Sequence, residues 1–329
     1  MVELVLDRRG VIAGLAALAA GCTTRSGSYA DGADGAMQTW IGYGYAVIAQ
    51  QRRLCGDLPL RLSVVEDGNA LVGGITGGTS ELMGSTLDQF VLQRTNGLPA
   101  RLLCLTDDSY GGDGMVVTSS IVTLADLRGK TVAYTPGPSS EYVLATALAS
   151  VGMTLDDIRP VTFADPGGSV AAFVNGRVDA GIIFQPYLAQ MQQRPGSRLL
   201  FTTKEFPDVS VGCFVLREGA AAEAQIAEQF ILGLKAAEEV ALNDPAAADL
   251  ILIDFFKVDA ALLNDMRAGA RLKGAANNAR YLSPAADGGE AAVLPMLRAI
   301  EAHYRRQNVA GARRISMDDV VPGAAAAFR

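Results

Sequence analysis

The chain has 329 residues, half of them hydrophobic, with a formal net charge of −7, one histidine and four cysteines. At roughly 100–200 residues per domain, that length suggests two compact units, each large enough for its own core. Twenty-eight Lys plus Arg against thirty-five Asp plus Glu give no basic field for a phosphate backbone, which argues against nucleic acid as a partner. The lone His303 reads as a solvated helix residue and supports neither a histidine-dependent triad nor a multi-histidine metal site. The balance describes a binder rather than a catalyst, with no call for a metal or cofactor.

Residues 1–22 read as an export signal. Arg8 and Arg9 precede an apolar run, Val11 to Ala20, about half the roughly 20 residues that a membrane span needs. The run closes on Ala19-Ala20-Gly21-Cys22, which resembles a bacterial lipobox and would make Cys22 the lipidated first residue. Arg8-Arg9-Gly10-Val11-Ile12 also resembles a twin-arginine signal, so the export route stays open. The alternative is a short buried helix opening a cytosolic domain. Polar residues 23–35 follow as a flexible linker. Cys55, Cys104 and Cys213 remain after processing, widely spaced and without a CxxC pair. They read as small buried apolar residues, not as a redox or zinc site.

From Met37 onward, β-branched runs alternate with Ala-rich stretches, which predicts α/β architecture with mostly parallel sheets and crossover helices. Strands are expected at Leu60 to Val65, Leu102 to Leu105, Thr131 to Tyr134, Val161 to Phe163 and Gly181 to Phe184. Helices are expected at Ser139 to Val151 and Ala220 to Leu242, after Pro245, and then over Asp254 to Lys273 and Ala291 to Gln307. A weak internal repeat relates Ile75-Thr-Gly-Gly78-Thr-Ser-Glu81, continuing to Gln89, with Phe173-Val-Asn-Gly176-Arg-Val-Asp179, continuing to Tyr187. Each copy has a helix-stopping Gly, an acid three residues later, then an apolar strand with a polar or aromatic tip. Two similar lobes are implied, whose strand ends face one another across a cleft.

Five segments occur in order: Thr39-Trp-Ile-Gly-Tyr-Gly-Tyr45, Thr86 to Phe90, Asp107 to Val117, Gly129 to Leu144 and Ala171 to Leu188. Together with Asn278 to Leu282 and Ser316 to Val321, this set resembles the solute-binding proteins of the nitrate/taurine/alkanesulfonate/thiamine-precursor class of bacterial ABC importers. The resemblance implies a two-lobed, type II periplasmic-binding (Venus-flytrap) fold. Lobe I would comprise residues 36–117 and 215–329 and lobe II residues 118–214, with crossings near Val117 and Phe214. It also implies a monomer that is exported to the periplasm and lipid-anchored to the membrane, and whose partners are a small polar solute, an ABC permease and its ATPase. Where the family often has Trp-Glu-Pro, this chain has Phe184-Gln185-Pro186. A pyrimidine synthase related to the family depends on histidine chemistry, to which a chain with one His is poorly suited.

The ligand-binding candidates follow from loop position. Trp40 and Tyr43, flanked by Gly42 and Gly44, offer stiff aromatic surface where the first strand turns into a helix, and glycine there lets backbone approach a solute. The alternative is a tryptophan that plugs the core. Ser139, Ser140 and Glu141 open a helix whose free N–H groups can hold an anion, or Ser139 is only an N-cap. Asp107, Ser109 and Asp113 lie beside the first crossing, either facing the ligand or serving as turn residues. Thr86, Phe184 and Gln185 complete the set. Inward carboxylates would favour an amine, amidine or guanidinium group, which the absence of Arg or Lys in these loops slightly favours. Outward ones would leave the Ser139 helix start and Thr86 for a sulfonate-like oxyanion. The alternatives from other classes are an enzyme on the same fold and a sensor that docks on a receptor.

Overall fold

The computed structural model describes residues 32–134, 139–285 and 289–329. The export signal, Cys22, most of the expected linker and Pro136 to Pro138 lie outside the described residues. Residues 33–35 do not extend the linker. They open strand β1 (Ala33–Met37), which inserts between β2 (Leu60–Val64) and β3 (Leu82–Thr86) in parallel with both. Small side chains permit this, since a Cβ on Gly35 would meet Leu62 at 2.7 Å.

The first sheet is completed by β4 (Ala100–Ser109), β10 (Val211–Arg217) and β11 (Ala270–Leu272), in the order β11-β4-β10-β3-β1-β2. The second contains β5 (Asp113–Thr118), β6 (Thr131–Tyr134), β7 (Arg159–Thr162), β8 (Ala180–Phe184) and β9 (Ser197–Thr202), in the order β7-β6-β8-β5-β9. Both sheets are mixed, not mostly parallel. β10 runs antiparallel to β3 and β4, and β5 runs antiparallel to β8 and β9. Each is the strand that enters its sheet directly from the other lobe.

The repeat has a topological counterpart. β3 and β8 occupy equivalent places, β3 parallel to β1 and antiparallel to the incoming β10, and β8 parallel to β6 and antiparallel to the incoming β5. Gly78 and Gly176, which stop the preceding helices, sit at φ +71° and +72°, a conformation that glycine adopts without steric cost.

The passages between sheets fall elsewhere than expected. Val117 and Phe214 lie inside β5 and β10, so the chain crosses first at Tyr110 to Gly112 and returns between Thr202 and Val211. The apolar run Met115 to Val117 looks the same whichever sheet it pairs with, whereas the Gly111-Gly112 turn is where the direction changes.

Helices cover the sheets: α1 (Gly44–Gln51), α2 (Gly68–Thr76), α3 (Leu87–Thr95), α4 (Ser139–Ala149), α5 (Pro166–Val174), α6 (Tyr187–Met191), α7 (Glu223–Asn243), α8 (Pro245–Phe256), α9 (Ala260–Ala268), α10 (Ala275–Leu282), α11 (Val293–Arg306) and α12 (Ala324–Ala327). Several starts are capped by aspartate. Asp165 and Asp244 accept backbone N–H bonds ahead of a proline in the first turn, and Asp259 caps α9. The helix expected over Asp254 to Lys273 is interrupted because Lys257 turns left-handed at φ +56° and Ala270–Leu272 pairs with β4 as β11. Cys55, Cys104 and Cys213 are buried free thiols. No helix among the described residues is long and apolar enough to cross a membrane.

One buried ionic network ties the first lobe to its C-terminal segment. The Arg94 guanidinium donates to both Glu218 oxygens at 2.7 Å, to Asp319 Oδ1 at 2.8 Å and to the Leu98 carbonyl at 2.7 Å. Asp319 is fully buried and also accepts from Arg313 at 2.6 Å. Hydrogen bonding to Arg94 holds Glu218 below the usual carboxylate range. For Asp319 burial opposes ionisation, but bonds from Arg313, the Ser316 amide and Arg94 outweigh it. Both acids therefore stabilise the fold above the ordinary carboxylate pKa of about 4, and that contribution is lost as pH falls through their folded values. Arg94→Met leaves Asp319 with Arg313 and the Ser316 amide and is expected to cost about 3 kcal/mol in urea denaturation at pH 7, with a smaller difference at pH 3.

Candidate functional site

The carboxyl ends of the parallel strands of both sheets converge on one cleft, with about 460 Å³ of atom-free space counted out to its open mouth. β1 delivers Gln38 and Trp40 just past its last residue, and β3 delivers Ser85 and Thr86. Ser139 follows β6 and Phe184 ends β8. Asp107 on β4, Asp113 at the start of β5, Ser210 just before β10 and Gly212 within it line the seam where the chain passes between lobes.

Trp40 Nε1 donates to Asp107 Oδ2 at 2.9 Å, while Thr106 Oγ1 bonds Oδ1 at 2.8 Å. The carboxyl fits because two neighbours lack side chains. A Cβ on Gly42 would lie 1.9 Å from Asp107 Oδ1, and one on Gly212 would lie 2.1 Å from it. Gly42 thus makes room for Asp107, not for a solute as its loop position suggested. The Trp40 ring meets Phe184 of the other lobe edge-on, with centroids 6.2 Å apart at 90°. Tyr43 donates its hydroxyl to the Ser85 carbonyl at 3.1 Å and packs on Phe214.

On the facing wall, the Ser139 hydroxyl donates to Asp113 Oδ1 at 3.2 Å and shares a 2.7 Å bond with Ser210. Ser109 does not line the cleft. Its hydroxyl accepts from the Asp113 amide at 3.1 Å and pairs with Thr203 at 2.8 Å, which ties the two passages together. Ser140 is buried within α4 and Glu141 lies in the first turn, both away from the lining. Gln185 is also turned aside: its amide donates to the Gly112 carbonyl at 2.8 Å and its side chain caps Ala189. Gln38, Ser85, Gln89, Ser210 and Gly212 were missed as lining residues. Gln89 stood within the Thr86 to Phe90 segment, and Gln38 directly precedes the aromatic loop.

Burial dominates the electrostatics. It pushes Asp107 up to about 7 and Asp113 up to about 6, against the hydrogen bonds that favour their ionised forms. Asp88, buried in the first turn of α3, is likewise pushed up to about 7 by burial, and Tyr304 donates to it at 3.3 Å. Burial also pushes the Cys55 and Cys104 thiols up to about 12 and Cys213 well above its ordinary value, which makes them inert toward nucleophilic chemistry. No group of three or more His, Cys, Asp or Glu among the described residues is placed to hold a metal ion.

His303 is not the solvated residue that its charged neighbourhood suggested. It is half-buried on α11, its ring edge-on to Tyr142 of α4 at 4.8 Å, with Gln307 bonded to Nε2 at 3.0 Å. Burial and then Arg306 lower its pKa. It stands at the seam between lobes, outside the cleft lining.

Gly42→Ala is expected to displace the Asp107 carboxyl, cost about 1–3 kcal/mol by overpacking and red-shift the emission of Trp40, the sole tryptophan. Gly73→Ala, where a Cβ meets nothing within 4 Å, serves as the control and should leave emission unchanged and stability unchanged or slightly raised.

Comparison with known proteins places this geometry. The model of a family described as NMT1/THI5 like matches residues 62–248, over half of the chain. A Brucella abortus chain named as a binding protein is 30% identical over 155 residues, which are 46% of this chain and 48% of that one. An Escherichia coli chain named for binding aliphatic sulfonates is 42% identical over 82 residues, a quarter of each. The chain thus spans about half the length of the first of these curated relatives and less of the second. The alkanesulfonate-binding protein of Xanthomonas axonopodis superposes with a TM-score of 0.70 at 20% identity, covering 88% of this chain and 97% of that one. That last likeness shows a shared periplasmic-binding-protein fold.

Proposed function

The chain belongs to the NMT1/THI5-like family, and on that premise we propose that it is the solute-binding component of an ABC importer, capturing a small nitrogen- or sulfur-containing polar compound for delivery to a permease. The observation that carries this reading is the cleft itself, to which both lobes contribute side chains from the carboxyl ends of their parallel strands.

The mechanism follows from which contacts need both lobes. Trp40 and Asp107 come from the first lobe, and Asp113, Ser139 and Phe184 from the second. A ligand that touches both sets makes all its contacts only when the lobes are together, so it binds the closed arrangement more tightly and shifts the population toward it. Ser109 bonds Thr203 and Ser210 of the return passage, each at 2.8 Å, which suits a hinge at which backbone rotates while the sheets stay rigid. The lining supports binding without turnover. The Ser139 and Ser210 hydroxyls pair with one another and Ser139 with Asp113, the thiol neighbours are inert, and the lone imidazole lies elsewhere.

Export and anchoring belong to the same reading and rest on the sequence of residues 1–22. Cys22 would carry the lipid that holds the protein at the periplasmic face of a membrane, where permease and ATPase reside, with the binding protein itself a monomer.

Two measurements test the proposal. Titrating the cognate solute, identified by mass spectrometry of what co-purifies, should change Trp40 emission saturably at one solute per chain with no product formed. Turnover of that solute by the purified chain would overturn the reading. In the native host, Cys22→Ser should move the protein from the membrane to the soluble fraction while leaving solute affinity unchanged. Continued membrane association would overturn the anchor.

A further inference from the structure

We propose that the cleft selects a small organic cation of the amidinium or guanidinium type, and that binding releases protons from Asp107 and Asp113. This rests on the solute-binding reading above and assigns its ligand class.

The lining decides the sign of the charge. Among its described residues are two carboxyl groups, several hydroxyls and the amides of Gln38 and Gln89, with no Lys, Arg or His. The nearby cations are engaged elsewhere: Lys273 bonds Asp108 at 2.6 Å and Arg271 stacks on the Tyr110 ring at 3.4 Å.

Helix starts, the usual alternative source of positive potential, each have a carboxyl group beside them here. Asp88 occupies the first turn of α3. Ser139, at the start of α4, gives its hydroxyl to Asp113. An oxyanion placed here would face two carboxyl groups and would require both to stay protonated. A guanidinium or amidinium instead matches a carboxylate with two parallel N–H bonds, and its flat face suits the aromatic corner formed by Trp40 and Phe184.

Proton linkage gives this class a signature. Burial favours the neutral acids in the empty cleft, and a cation favours their ionised forms, so binding expels protons and tightens as pH rises. The titratable groups facing the pair are Asp88, Tyr43, Cys213 and Asp108, the last neutralised by Lys273. Tyr43 and Cys213 are raised well above their ordinary values and stay neutral over this range. Asp88 is nearest in behaviour and would add to the same slope.

The test is calorimetric titration of the full chain with methylguanidine, benzamidine, ethanesulfonate and nitrate at pH 5.5, 6.5 and 7.5, in buffers of different ionisation enthalpy. The expected result is saturable binding of at least one cation, with affinity rising up to about tenfold per pH unit for each proton released and a measured net release. Asp113→Asn should weaken cation binding at least tenfold and lower the released count toward one. If that variant fails to fold, the proton count of the unmodified chain still decides. Binding of ethanesulfonate or nitrate that tightens as pH falls would overturn the cation assignment and leave the solute-binding proposal standing. Failure of both cations to bind, while the co-purifying solute does, would overturn it in the same way.

Discussion

The bond from Trp40 Nε1 to Asp107 Oδ2 organises the cleft. It fixes the indole at the mouth of the first lobe, where its ring meets Phe184 of the second, and holds a carboxyl group away from bulk water at the strand end where ligands sit in such sheets. A buried carboxyl without partners would be costly, so its position depends on Thr106, Trp40 and the space left by Gly42 and Gly212. Those four supports come from β1's exit, β4 and β10, strands separated by up to about half the chain. The first sheet's order, with β10 between β3 and β4, is what brings them together.

Against that carboxyl stands a second one in a different setting. Asp113 belongs to the second sheet and is held by serines from both passages. The two acids line one cleft because the chain changes sheets in the few residues that separate them. Their separation in sequence is short for the same reason that they belong to different lobes. Aromatic groups then close the cleft from either side, and Tyr142 against His303 adds a second contact between α4 and α11 beyond it.

Much of this is written in local signals. Glycine stops followed by an acid and an apolar strand marked β3 and β8, and their equivalence holds in the sheets because each such signal acts within about ten residues. Trp40, Tyr43, Thr86, Asp107, Asp113, Ser139 and Phe184 were legible as residues near strand ends. The direction of a side chain was not. Asp107 and Asp108 look alike in sequence, yet strand alternation sends one toward Trp40 and the other to Lys273. Ser85, Ser210 and Gly212 carry no local mark that separates a cleft-facing position from a buried turn. The passages were misplaced for a related reason, since a strand's own residues do not state which sheet it joins.

The interleaving has a consequence for how the molecule is made. Strands β5 to β9 lie in one unbroken stretch, so the second sheet can assemble as soon as that stretch exists. The first sheet cannot, because β3 and β4 are not neighbours and must wait for β10, more than a hundred residues later, to separate and join them. Such distant pairings must meet the loop-closure cost before they are rewarded, and they fold slowly. A chain leaving the ribosome therefore carries an unfinished first lobe until at least about two-thirds of it has been made. The half that holds Trp40 and Asp107 would remain open longest.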